Sequence, residues 1–321
     1  MTVRNLGIVV FATGLIILLA FFGFRILSDS GANSSNASTP VVATVYAYAS
    51  LSEELLGQDQ VTWLGAGQDL HDYEPTPRDL RILEEAKLLV ASGGVDEWAI
   101  DARDGAYVEA LSVIDNPLES GAHDHDEDYN ESEHGDEEHV EESHHEEGGE
   151  KESHGHDHGD VDPHAWTVPA NLAQVGEAVL EERGQEDVNN YLPLLLELDG
   201  EYRDGLSDCT QNTVLTTHDA LSYLGAEYDF ELVAAGTQEG ELDLGPQELA
   251  KTLETIKESG VRYLLVNPLE NQDLAQTLAT EAELTLLPIN LLENTPAEDL
   301  TLLEALRQNL ESLTTALECS T

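Results

Sequence analysis

Residues 186–207 read EDVNNYLPLLLELDGEYRDGLS, an amphipathic run that is long for a globular helix. Similar patterns flank it on both sides. Upstream, VVATVYAYA (41–49), VTWLGAG (61–67), LLVAS (88–92) and 108–113 read as strands. Helical segments come between them, after 49, over 77–86 and over 95–103. Downstream, NTVLTT (212–217), YDFELVAA (228–235), VRYLLVN (261–267) and LTLLPI (284–289) read as strands. Helices are expected from Pro246 to about 258, over 271–282 and over 297–317. Strands alternating with helices build parallel sheet. The run 186–207 then becomes a spacer between two α/β lobes, although Pro193 and Gly200 interrupt it. A second amphipathic helix, 168–183, precedes it, and Gly184 breaks or kinks the chain between them. The expected division is an N-terminal lobe over 41–185, the linking helix over 186–208 and a C-terminal lobe over 209–321.

One segment departs from this rhythm. Residues 121–160 read GAHDHDEDYNESEHGDEEHVEESHHEEGGEKESHGHDHGD and have no apolar period, so they can bury no face and are expected to stay disordered. The run holds His123, His125, His134, His139, His144, His145, His154, His156 and His158. Imidazoles interleaved with carboxylates suit borderline divalent metals such as zinc, nickel and copper. A solvated linker that binds nothing is the plainer alternative.

The formal net charge is −52, and only 17 of the 65 acids lie in that run, so the acidity is global. Four lysines in 321 residues and a uniform acid excess point to adaptation to high salt, where counter-ions screen self-repulsion. They also argue against nucleic acid as a partner, since no basic stripe exists to neutralise phosphates. Cys209 and Cys319 form no CxxC pair. In a reducing compartment they read as buried thiols, and outside the cell as one disulfide.

Residues 6–24, LGIVVFATGLIILLAFFGF, carry no charge. At helical rise they span roughly 28 Å, close to the thickness of a bilayer core. The segment is longer than a signal-peptide core, and no small-x-small site follows closely. Residues 1–27 are therefore expected to anchor the chain, uncleaved, with the body outside the cell membrane, a cleaved signal segment being the alternative. Residues 28–40, SDSGANSSNASTP, form a flexible tether. N-x-S sequons occur at Asn33, Asn36 and Asn130, although such sequons also arise by chance.

Three histidines remain outside the acidic run: His71, His164 and His218. Each precedes a helix, and the first two sit in Pro-fixed turns. Thr76 is placed to cap the helix after His71, with Pro77 in its first turn. In open parallel sheets, ligand sites form at the carboxyl ends of strands. Three dispersed imidazoles and one further position are a common zinc arrangement. Any one of these residues, taken singly, reads equally well as a satisfied or surface histidine.

DLHDYEPTPRD (69–79), DPHAW (162–166) and TTHDALSY (216–223) resemble the ligand segments of zinc-type substrate-binding proteins of metal ABC transporters. The resemblance extends from Val41 to Cys319, and the acidic His-rich insertion before DPHAW strengthens it. It implies two α/β lobes joined by a long rigid helix, with Zn2+ in the cleft and His71, His164 and His218 as ligands. It implies a monomer that delivers zinc to a permease and ATPase complex and is not an enzyme. Manganese-type relatives carry Glu where His218 stands, which points to zinc. Leu70 replaces the usual Pro before the first histidine. The late carboxylate of the family would fall near Asn290, which leaves water or a nearby acid as fourth ligand. A disulfide in the second lobe occurs in the family, and a Cys209–Cys319 link would tie the start of that lobe to its last helix. A three-His zinc hydrolase is the alternative from another class, with Asp72, Glu74 or Asp219 as general base, but no HExxH pattern is present. A surface zinc buffer or adhesin is a third reading.

Overall fold

The computed structural model describes residues 40–118, 161–235, 246–270, 272–297 and 300–320. The apolar segment 6–24, the tether up to residue 39, the three sequons, the run 121–160 and the loop 236–245 lie outside the described residues. Among the described residues, no helix is long and apolar enough to cross a membrane.

In the first lobe, β1 (Val41–Ala43), β2 (Val61–Trp63), β3 (Leu88–Ala91) and β4 (Tyr107–Glu109) form a wholly parallel sheet in the order β2-β1-β3-β4. The helices are α1 (Tyr46–Leu56), α2 (Pro77–Glu85), α3 (Glu97–Asp101), α4 (Ala110–Val113) and α5 (Pro169–Arg183). The second lobe repeats the topology with β5 (Thr213–Thr216), β6 (Glu231–Ala234), β7 (Tyr263–Val266) and β8 (Thr285–Pro288), ordered β6-β5-β7-β8 and again parallel. After α6 (Tyr191–Gly205) come α7 (Ser222–Tyr228), α8 (Pro246–Ser259), α9 (Gln272–Ala282) and α10 (Leu302–Ala316). In both lobes the strand order reverses beside the first strand, so the loops there gather at the carboxyl ends, where a ligand crevice forms.

Several elements are shorter than the sequence pattern implies. The run 41–49 gives a strand of only three residues, and α1 begins at Tyr46 because Ala47, Tyr48, Leu51 and Leu55 bury one helical face. Strand β4 stops at Glu109, and the chain turns helical through Val113. The segment 228–235 begins as the end of α7, and only Glu231–Ala234 pair as strand. The linking helix starts at Tyr191 rather than 186. Asp187 caps it by accepting from Tyr191 N and Leu192 N, each at 2.9 Å. Pro193 therefore falls in the first turn, where its missing N–H costs no intrahelical bond. At α2, Thr76 caps the helix with Pro77 in the first turn, as the sequence implies, and Asp79 makes the cap reciprocal.

One apolar core runs through both lobes, with a smaller cluster on the far side of each sheet. Helix α6 ties the lobes together through Leu195, Leu198 and Tyr202, all fully buried, and Tyr202 Oη donates to Leu306 O of α10 at 2.6 Å. Each such leucine contributes about 2 kcal/mol by leaving water. Helix α5 lies so close to α6 that a Cβ at Gly176 would sit 2.5 Å from Leu192 Cδ2. Cys209 and Cys319 are joined, pairing the two ends of the second lobe in a short antiparallel bridge.

Candidate metal centre

His71 lies on the loop after β2, His164 at the turn before α5, and His218 two residues past β5. Glu293 follows β8. Their ligand atoms lie within 4.8 Å of one another. Glu293 Oε1 is 3.5 Å from His164 Nε2, 3.7 Å from His218 Nε2 and 4.0 Å from His71 Nε2. A zinc ion bound tetrahedrally at 2.0–2.1 Å needs ligand atoms about 3.3 Å apart, so small side-chain shifts close the shell. All four atoms are buried and none has a hydrogen-bond partner. Orphaned polar atoms are costly to bury, and four converging on one point fit a cation between them.

The other ring nitrogens of His164 and His218 face carboxylates. His164 Nδ1 lies 2.8 Å from Asp162 Oδ1, and the same oxygen accepts from His164 N at 3.0 Å. His218 Nδ1 lies 3.3 Å from Glu270 Oε1, while Thr217 Oγ1 donates to Glu270 Oε2 at 3.1 Å. A carboxylate on Nδ1 turns Nε2 toward the metal and raises its basicity. Ser92 Oγ donates to Pro163 O at 2.6 Å, and Ser92 N donates to Asp96 Oδ2 at 2.8 Å, which fixes the turn that carries His164.

Electrostatics separate the histidines. Burial pulls His71 down to about 4, helped by its two histidine neighbours and opposed by Glu293. Burial works the same way on His164, but Asp162 and Glu293 outweigh it and lift the ring to about 9. Burial would raise Glu293, yet His164, His218 and His71 beside it hold its carboxyl below the usual range. In the metal-free cleft, a proton on His164 thus balances Glu293.

The structure brings His71, His164 and His218 together, while the nine histidines of the run 121–160 lie outside the described residues. Asn290 is not the late carboxylate. Its side-chain Nδ2 donates to Gln308 Oε1 and its backbone N to Asn309 Oδ1, both at 2.7 Å. The acid at the cluster is Glu293, three residues on. Asp72 and Glu74 are exposed, and Asp219 accepts from Ser222 Oγ, so none of the three candidate bases belongs to the cluster. A cavity of about 440 Å³ opens beside the site, lined in part by Asp69, His218, Glu270 and Glu293.

The chain is similar to proteins of the same architecture. The laminin-binding protein Lmb of Streptococcus agalactiae superposes with a TM-score of 0.67 at 21% identity, over 87% of this chain and 98% of that one. The Zn(II)-bound ZnuA-like domain of Streptococcus pneumoniae AdcA gives 0.64 at 21% identity, over 87% and 98%. In sequence, the zinc-binding lipoprotein AdcA of S. pneumoniae is 24% identical over 88% of this chain and 56% of its own length. The high-affinity zinc uptake system protein ZnuA of Bacillus subtilis is 25% identical over 89% and 90%. The chain thus spans a little over half the length of AdcA. The family described as zinc-uptake complex component A periplasmic (ZnuA) matches residues 41–316, both lobes and the cluster between them, and the chain belongs to that family.

Proposed function

We propose that the chain captures Zn2+ in the cleft through His71, His164, His218 and Glu293, and delivers it to an ABC transporter permease and its ATPase. The carrying observation is the set of four buried, unpartnered ligand atoms around one point. Three imidazoles and one carboxylate form a closed zinc shell, whereas manganese favours oxygen donors. In this reading Glu293 serves as a ligand, and the candidate bases Asp72, Glu74 and Asp219 stand outside the cluster, which favours binding over catalysis. Residues 6–24 hold the chain at the outer face of the cell membrane, consistent with a disulfide between Cys209 and Cys319. The histidines of 121–160 act as weaker, auxiliary sites that gather zinc near the cleft.

X-ray absorption of the zinc-loaded protein, with and without residues 122–160, tests this. The shortened chain should keep one zinc with about three nitrogens and one oxygen at about 2.0 Å, and lose only weak equivalents. Loss of the tight equivalent with the run would sink the proposal.

A further inference from the structure

We propose that Asn294 is a positioning residue that fastens the His71 loop over the bound cation and so sets how fast the cation leaves. The inference rests on the reading of the cleft as a metal site. Asn294 Oδ1 accepts from Gly67 N at 3.1 Å, and its Nδ2 donates to Gln68 O at 2.9 Å. One carboxamide thus answers an N–H and a C=O of the loop at once, as a neighbouring strand would. The loop needs such a fastening. Gly65 and Gly67 both hold φ near +76°, and residues 66–69 are exposed. Its inner end carries His71, whose N donates to Asp69 Oδ1 within the same loop.

The other end of the clasp is firm. Trp166 Nε1 donates to Leu291 O at 2.7 Å, Ala47 N to Leu292 O at 3.0 Å and Tyr46 N to Glu293 O at 3.2 Å. Asn294 therefore extends from a segment already docked on the first lobe, one residue beyond the ligand Glu293. It connects the loop of one ligand to the backbone of another, at the mouth of the cavity lined by Gly67, Gln68 and Asn294. With the carboxamide gone, residues 65–69 lose that tie and the His71 end is held by Leu70, which is buried in the core, while His164, His218 and Glu293 stay in place. Two neutral hydrogen bonds of ordinary strength correspond to about a tenfold change in rate.

The test is Asn294→Ala in the full chain, with zinc release to excess chelator followed by stopped flow. Any zinc held outside the cleft should empty in a fast phase, and the cleft in a slow one. The slow phase should quicken about tenfold, and amide exchange over 65–71 should rise in the zinc-loaded protein. The melting temperature of the metal-free chain should stay within about 2 °C. A slow phase within twofold of the parent would overturn the clasp. So would a metal-free melting temperature several degrees lower, which would mark a general structural role. Absence of any slow phase in the parent protein would instead count against the metal site itself.

Discussion

In the proposed site zinc displaces a proton from His164, so binding should depend on pH. The ring is held at about 9 with Asp162 and Glu293 against it, while His71, at about 4, has no proton to lose near neutrality. At about pH 7, stripping His164 costs about 3 kcal/mol, roughly a hundredfold in apparent affinity. From about pH 7.5 to 9, apparent zinc affinity should rise close to tenfold per unit, then level off. The tight site should release about one proton per zinc at the lower end. The perturbation is Asp162→Asn, which keeps an oxygen for His164 Nδ1 but removes the charge. Proton release should then fall toward zero and the slope flatten. Titration calorimetry in buffers of different protonation enthalpy, with a competing chelator, counts the protons. Release of none, or of two, by the parent protein would refute the reasoning. The metal-free fold gives a check of opposite sign. A value raised from about 6.5 to 9 stabilises fully below about pH 6.5 and is lost as pH passes about 9. Metal-free urea midpoints should fall over that window, while the stabilisation added by zinc grows.

Other outcomes follow from the same geometry. His218→Ala should weaken tight zinc binding by more than about a hundredfold, since the loss of mere outer-shell partners already costs 10–100-fold; unchanged calorimetric affinity would contradict this. Glu270→Ala should cost about tenfold by freeing His218 Nδ1, read in the same titration against a parent control. The bridge between Cys209 and Cys319 closes a span of 110 residues. Reducing it should cost up to about 5 kcal/mol in urea unfolding, and a loss under about 1 kcal/mol would show that the unfolded chain gains little freedom. With a formal charge of −52, dilution of salt should lower the melting temperature, and a flat profile would count against high-salt adaptation.

The fold was legible because strand and helix periods alternate on both sides of α6, and because Thr76-Pro77 and the turn at Asp162-Pro163 carry their own start signals. The three histidines stood out once the acidic run was set aside. Glu293 did not, for an acid among 65 acids has no sequence signal of its own. Its place depends on Leu292, which adopts a left-handed φ of 63°. That conformation costs a leucine about 1–2 kcal/mol, and nothing in LLENTP announces it. The start of α1 was hidden for a related reason. Alternating valine, alanine and tyrosine in 41–49 satisfy a strand pattern, while burial against Trp166 and the sheet selects helix from Tyr46 onward.

The strain at Leu292 and the origin of the ligands are connected. By chain order Glu293 belongs to the second lobe, yet Trp166, Ala47 and Tyr46 of the first lobe hold the backbone of 291–293. Those three hydrogen bonds offset the cost of the left-handed turn and aim the carboxylate at His71 and His164. His218 is then the proposed ligand held chiefly by second-lobe elements, through Glu270 and Thr217. A core continuous across both lobes, and the Tyr202 bond to Leu306, oppose any wide hinge opening. Access to the proposed cation site is then expected from movement of short segments around that frame, and the exposed glycine-bearing stretch 65–69 before His71, tied across by Asn294, is one such segment.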